Sequence, residues 1–251
     1  MNNIPHDYIA CLDAITATET GITETTDLTD IDRAVATKIA TIMEKLKVTD
    51  QSRQENKEFA RFAAKPIHEK VHVGTFDTPK ELLRKLAGKE KARNSLFPCV
   101  NIARRTEFEF AEPGEHIDVK GSHVLKAAGD NVTAVVNTSF VNLSYTVTLM
   151  AWEKSTVTRM ALGLALWLRN TKRGRQHSFI AKTALMGLPV EQVCQIKARA
   201  DLMPADASES FNEDRLNAVT FDIEVLATVF EAEEVTAETF RVMLSNGEII
   251  K

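Results

Sequence analysis

Across residues 139–170, "SFVNLSYTVTLMAWEKSTVTRMALGLALWLRN", apolar positions recur first at every second residue and then at every third or fourth, with no Gly or Pro at the change. Val141, Leu143, Tyr145, Val147, Leu149 and Ala151 fall on one side of an extended chain, and Asn142, Ser144, Thr146 and Thr148 fall on the other. This predicts a strand with one wet face. After Trp152 the spacing Val157, Met160, Ala161, Leu164, Trp167 and Leu168 makes an apolar helical stripe, and Ser155 or Thr156 is placed to cap it. The change of period near Trp152 marks a strand-to-helix corner.

The same pattern divides the rest of the chain. Residues 1–29 are rich in Thr, Asp and Glu with weak periodicity, and are expected to be an irregular arm that orders only against something else. Ile31, Val35, Ile39, Ile42, Met43 and Leu46 predict an amphipathic helix over 30–47, and "QSRQENKEFARFAAK" predicts a second helix stopped by Pro66. "TPKELLRKLAGK" predicts a third, with Thr78 as cap, Pro79 at the first helical position and Glu81 completing a capping box. From Phe97 the character turns to strands: one entered after Pro98, a glycine-punctuated ribbon over 112–131, the strand before Trp152, two after the central helix, and "RLNAVTFDIEVLATVF". Asn246-Gly247 between apolar runs signals a closing hairpin. The expected fold is α+β, a mainly antiparallel sheet with helices packed on one face, preceded by an N-terminal helical segment. Its expected parts are the arm at 1–29, the helical segment at 30–90, and a core at 91–251 that ends in the hairpin.

Composition narrows the function classes. Of 251 residues 44% are hydrophobic and 26% charged, enough for one large domain or a domain with an appendage. The formal net charge of -4 supplies no global basic excess of the kind nucleic-acid and membrane-surface binders use. Cys11, Cys99 and Cys194 are odd in number and scattered, which fits neither a disulfide framework nor a zinc knuckle and points to a reducing compartment. The N-terminus lacks a basic segment followed by an apolar one, and the longest apolar run, 160–168, is too short to cross a bilayer; a soluble, unexported protein is expected.

The sharpest chemical motif is "HEKVH". His68, Glu69 and His72 match the H-E-x-x-H pattern in which two His one helical turn apart bind zinc and the Glu polarises its water. Pro66 and Gly74 leave little room for the helix this needs, and no family-specific third-ligand pattern follows downstream, although Glu81 or Glu90 could be nominated; the competing reading is a solvated turn. No P-loop, dinucleotide fingerprint or nucleophile elbow is present. No catalytic residue, metal ligand or cofactor site is expected. Arg169, Lys172, Arg173 and Arg175 cluster directly after the central helix, where they meet its dipole or serve an acidic partner surface or passing nucleic acid. The acidic run that contains Glu231, Glu233 and Glu234 reads as a solvated strand edge or as a complementary contact patch. Tyr145, Trp152 and Trp167 are core residues, unless either Trp anchors an interface.

In order of blocks, "LFPCVNI", then "SFVNLSYTVTLMAWEKSTVTRMALGLALWL", then "RLNAVTFDIEVLATVFEAEE" resemble the tail completion proteins of contractile-tailed bacteriophages, in particular the tail sheath stabiliser, which is similar in arrangement to tail-tube terminators. The resemblance spans roughly residues 95–232 and leaves the segment before Lys91 unaligned. It implies a non-enzymatic virion protein, assembled in the host cytoplasm as a homo-oligomeric ring, a hexamer, at the head-proximal end of the tail. Such a ring caps the tail tube protein and the tail sheath protein and joins them to neck or portal-side connector proteins, with genomic DNA passing through its lumen and no membrane involved. A head-to-tail connector or other neck adaptor is the alternative, and a zinc hydrolase through His68, Glu69 and His72 a more distant one. A closed ring needs two different complementary patches on each subunit. The basic segment 169–175 and the acidic segment 222–238 are the candidates.

Overall fold

The structure, a computed structural model, describes residues 9–76, 78–87, 96–112, 118–126, 132–169, 177–197, 202–211, 214–245 and 248–250. Strands dominate it. The elements run β1 (Ile9–Thr25), α1 (Leu28–Glu44), α2 (Gln54–Ala64), α3 (Ile67–Lys70), β2 (Val71–Val73), α4 (Pro79–Ala87), β3 (Cys99–Phe110), β4 (Val119–Lys126), β5 (Val132–Ala151), α5 (Lys154–Arg169), β6 (Ser178–Leu185), β7 (Leu188–Ile196), β8 (Ala205–Asp206), β9 (Glu209–Phe211), β10 (Asp214–Ser245) and β11 (Glu248–Ile250). The main path of the sheet is β2-β3-β5-β10-β7-β6, with β1, β8, β9 and β11 on β10 and β4 on β5. Among the described pairings only β2 with β3 is parallel.

Two long neighbours, β5 and β10, form the centre. Their antiparallel ladder runs without a register shift from Asn217↔Ala151 to Glu234↔Ala134. Val141, Leu143, Tyr145, Val147 and Leu149 on β5 and Phe221, Ile223, Val225 and Ala227 on β10 make one apolar face. α1 covers it with Ile31, Val35, Ile39, Ile42 and Met43, α2 with Phe59 and Phe62, and α5 with Met160, Leu164, Trp167 and Leu168. The first two helices therefore share one core with the sheet.

Farther along the same strands the buried face changes sides. Beyond Thr228 the residues in the interior are Phe230 and Ala232 on β10 and Val136 and Ala134 on β5, opposite in parity to the first set, and they pack with Leu185, Met186 and Val190 of the β6–β7 hairpin. β7 pairs with β10 only at 225–227 and then leaves the ladder. The same edge of β10 is taken up by β1 from Glu231 onward. The hairpin turns at Met186 and Gly187, both at positive φ (50° and 74°), as a two-residue turn of primed type requires. A left-handed Met is uncommon; its N–H donates to the Glu24 carboxylate of β1, which ties the turn to the neighbouring strand.

Local signals in the sequence account for much of this. Asp27 Oδ1 accepts the Thr29 N–H at 2.8 Å and caps α1. Thr78 Oγ1 accepts the Glu81 N–H at 3.2 Å and caps α4. Lys65, extended before Pro66, ends α2, and its Nζ donates to the Leu96 and Pro98 carbonyls at 2.7 and 3.0 Å, which fixes the entry to β3.

The irregular arm expected over 1–29 is corrected by strand β1, and a strand thus precedes the helices. A Thr-rich segment has good strand propensity, but what makes it a strand is pairing with residues 231–245, far away in sequence. The expected cap of the central helix is corrected as well. The Thr156 and Val157 N–H groups turn back to the Glu153 carbonyl, while the Ser155 hydroxyl donates to Glu55 O at 3.2 Å. The corner is held by Glu58 of α2, 2% exposed, whose two carboxylate oxygens accept the N–H groups of Trp152 (3.0 Å) and Glu153 (2.8 Å). Asn246 and Gly247 lie outside the described residues; on either side of them β10 and β11 pair antiparallel, Ser245 opposite Glu248.

Candidate assembly surface

The residues singled out in the sequence occupy separate regions. Arg169 is the last residue of α5 and is exposed, while Lys172, Arg173 and Arg175 lie outside the described residues. Glu231, Glu233 and Glu234 stand in a stretch of β10 with β5 on one side and β1 on the other: Glu231 faces both Asn137 and Thr25 in register. The acidic run is therefore in a central strand, which corrects its reading as an edge. Glu233 accepts from Asn137 Nδ2 at 3.0 Å and Glu234 from Thr20 Oγ1 at 2.8 Å, while Glu231 is exposed. Nearer the middle of the sheet, acidic groups on the wet face are matched within the chain. Asp222 meets Arg105 at 2.7 Å and Thr146 Oγ1 at 2.9 Å, and Glu224 meets Lys197 at 2.8 Å.

The "HEKVH" segment does not form the zinc-binding helix. Helix α3 stops at Lys70 and the chain continues as β2, so His72 stands in a strand that pairs in parallel with β3 while His68 and Glu69 are exposed on the short helix. H-E-x-x-H chemistry needs both imidazoles on one helical face. The solvated-turn reading is incomplete too, because Lys70 is 1% exposed. Its Nζ donates to Ala63 O at 3.1 Å, lies 3.7 Å from Glu44 and sits over the Phe62 ring. The segment is a clamp between α2 and the sheet. Among the described residues no group of three or more His, Cys, Asp or Glu side chains is arranged to hold a metal ion.

Buried polar groups lock the helices on the sheet. Asp32 Oδ1 of α1 accepts from the Tyr145 hydroxyl at 2.8 Å and from Arg104 Nε at 2.9 Å. Burial, with the Asp32 charge second, pushes the Tyr145 hydroxyl well above the usual phenol range. Burial likewise pushes the Cys99 and Cys194 thiols up to about 12, with Lys65 pulling Cys99 back in part. Trp167 is buried, its ring 4.9 Å from His177 and 5.6 Å from Lys38 Nζ; Trp152 packs edge-on against Phe97 at 5.3 Å. Both indoles thus pack within the chain.

Exposed apolar side chains are spread over several elements, Ile22, Ile180, Val193 and Met203 among them. Leu162 and Leu166 on the outer side of α5 are 59% and 58% exposed, and line a groove of about 720 Å³ with Leu202 and Val219 on the facing wall. Lys154, Arg169 and Arg215 stand on its rim, Arg215 being 3.7 Å from Asp206. At the opposite edge of the sheet Phe108 and Phe110 of β3 are 50% and 63% exposed and stack edge to face, centroids 5.9 Å apart. Neither feature was singled out from the sequence. The signals are there: Leu162 and Leu166 are four residues apart and off the main stripe, and Phe108 and Phe110 alternate with Glu107 and Glu109.

Apolar and charged patches thus both lie on the sheet-and-helix wall. No protein-family model and no curated protein sequence matches this chain. Among the described residues no helix is long and apolar enough to cross a membrane.

Proposed function

We propose that this protein is a structural, ring-forming tail completion protein of a contractile-tailed bacteriophage, of the tail sheath stabiliser type. The observation that carries the reading is the arrangement of the three blocks on which the resemblance rests. "LFPCVNI" leads into β3, the central block is β5 with α5, and the third is the larger, N-terminal part of β10, so that the blocks are the adjacent strands β3, β5 and β10 with the helix that packs on them. They make one continuous wall. On this reading residues 91–251 are a tail-terminator-like α+β core, the helices of 30–90 are its covering layer, and function is interface geometry without catalytic residue, metal or cofactor. The ring, a homo-hexamer in the virion, caps tail tube and sheath and meets neck or portal-side connector proteins, with genomic DNA in its lumen.

Two different patches must join head to tail for such a ring to close. The basic segment with Arg169, Lys172, Arg173 and Arg175 and the acidic stretch with Glu231, Glu233 and Glu234 supply opposite charge far apart in the sequence. Reversing Arg173 and Arg175 to Glu is expected to slow and weaken assembly, most at low salt, where exposed charges are least screened. Unchanged sedimentation of the variant would remove these charges from the contact. Pull-downs with purified tube, sheath and portal-side proteins separate a tail completion protein from a neck adaptor, since the first is retained by tube and sheath and the second by the portal side alone. The hydrolase alternative predicts stoichiometric zinc that is lost in His68→Ala and His72→Ala; we expect less than a tenth of an equivalent, in both variants and in the parent.

A further inference from the structure

Two strands of this fold leave a backbone edge open. Among the described residues β6 pairs with β7 alone and β1 with β10 alone. β6 is regular over its 8 residues, with one charged side chain, Lys182, no Pro and no register shift, so it carries little of what usually blunts a strand edge. The direction of its peptide groups follows from the turn. Leu185 and Leu188 close a two-residue hairpin and exchange both hydrogen bonds, so Thr183, Ala181 and Phe179 also bond to β7, whereas Ser178, Ile180, Lys182 and Ala184 turn their N–H and C=O groups outward. Lys38 Nζ donates to Ser178 O at 3.1 Å, in agreement with that parity. Among the described residues nothing bonds to the outward groups of Ile180, Lys182 and Ala184, and Ile180 stands opposite Val193 with both side chains more than half exposed.

β1 supplies a second open edge. β10 leaves β5 at Glu234, and from Val235 to Ser245 it forms with residues 9–19 of β1 a ribbon about 35 Å long, joined among the described residues only by the three-residue β11 at its tip. A two-stranded ribbon is marginal in water, and a third strand stabilises it. The Thr26 N–H donates to Phe230 O at 3.0 Å, so the even-numbered residues of β10 bond towards β1. Carried along the ladder, this places the bonds of Thr18, Thr16, Ala14 and Leu12 on β10 and turns the peptide groups of Ala17, Ile15, Asp13 and Cys11 outward. The two edges cannot meet within one molecule. The β6–β7 turn is held at the foot of the ribbon by the Met186 N–H on the Glu24 carboxylate; from there β6 runs back to the level of Leu226, while the ribbon runs the other way to Ser245.

We propose that the β1 edge of one copy pairs with the β6 edge of the next, so that the sheet continues across the subunit boundary. The occupant is a second copy because the chain carries both halves of the contact, and because joining them gives the ribbon the third strand it lacks. A contact between two different edges is heterologous, as a closed ring requires. The inference rests on the ring reading and assigns the backbone contact that closes it.

Proline separates backbone pairing from side-chain contact. Lys182→Pro and Ala17→Pro each remove one outward N–H and leave the ladders within the chain intact, because an edge strand tolerates Pro where the N–H faces away from its neighbour. Each is expected to weaken self-association of the full chain by at least about tenfold in sedimentation velocity, while Lys182→Ala and Ala17→Ser, which keep the N–H, retain the wild-type mass. Mixed in equal amounts, the two proline variants offer one intact β1 edge and one intact β6 edge, and are expected to stop at a dimer. Wild-type mass in both proline variants would overturn the edge contact and leave the ring intact. A loss of mass in Lys182→Ala as large as in Lys182→Pro would overturn it by assigning the effect to the side chain. Hydrogen exchange on the unaltered chain needs no variant to fold: segments 178–185 and 9–19 are expected to gain protection in the assembly and to lose it on dilution to monomer. Equal exchange in the two states would overturn the proposal, and protection that appears only on adding purified tube or sheath protein would overturn the second copy as occupant. A wild-type chain that stays monomeric would overturn ring and contact together.

Discussion

Replacing Glu58 by Ala is expected to destabilise the protein by about 3–5 kcal/mol, because two backbone N–H groups at the strand-to-helix corner lose their acceptor together. The carboxylate is nearly inaccessible, and its bonds to Trp152 and Glu153 at 3.0 and 2.8 Å satisfy donors that α5 leaves open at its start. The same end of α2 is attached to α5 by Arg159 donating to Asn56 Oδ1 and by Ser155 donating to Glu55 O. Loss of Glu58 therefore loosens the docking of one helix on the other as well as the corner. At this chain length the change corresponds to a fall of about 6–20 °C in melting temperature. Glu58→Gln keeps one acceptor oxygen and is expected to lose roughly half as much. Differential scanning calorimetry of both variants decides the matter, and a loss below about 1 kcal/mol for the Ala variant would show that Glu58 does not hold the corner.

The second large effect is expected in alkali. Cys99 and Cys194 hold their protons up to about 12 in the folded chain, against an ordinary value of 9.0, because burial disfavours the thiolate. In the unfolded chain the thiols ionise near their ordinary value. Each folded pKa is raised, so its contribution to stability is fully present below about pH 9 and is lost as pH rises from there towards 12. Within that window each thiol removes about 1.4 kcal/mol of unfolding free energy per pH unit. Tyr145, raised from 10.0, adds a third contribution of the same sign at higher pH. Urea titrations between pH 8 and 11 should show a steep decline in the parent and a decline shallower by roughly 2–3 kcal/mol per pH unit in Cys99→Ala/Cys194→Ala. Equal slopes would mean that the thiols are accessible to water.

How far the sequence reveals this structure depends on whether the cause is local. The corner at Trp152, the alternation of β5 and β10, and the Thr78 cap rest on neighbours in the chain, and each is visible as a change of period or a capping residue. Glu58 is not visible in this way, since its partners are 94 and 95 residues away. β1 is hidden for the same reason: its Thr content suits a strand but its apolar periodicity is weak, and the deciding ladder is with 231–245. The switch of buried face is a subtler case. The adjacent apolar pairs Phe140-Val141 and Val229-Phe230 mark the point where one parity yields to the other, but the reason for the switch is the β6–β7 hairpin on the opposite side of the sheet. Lys70 illustrates the reverse error, a residue inside a familiar metal motif whose burial against Ala63 O and Glu44 comes from tertiary packing.

For the candidate surface the division is similar. Charge clusters such as Arg169 to Arg175 are legible directly, whereas the exposure of Leu162, Leu166, Phe108 and Phe110 depends on which parts of the sheet the helices leave open. An apolar residue in a strand or helix reads as core until the covering layer is known. The central claim is that copies of this chain close a ring. Native mass measurement of the purified full-length chain, with negative-stain imaging of the same sample, tests it most directly. We expect a closed assembly of six copies with a central opening; a species that remains monomeric up to the highest attainable concentration would contradict it.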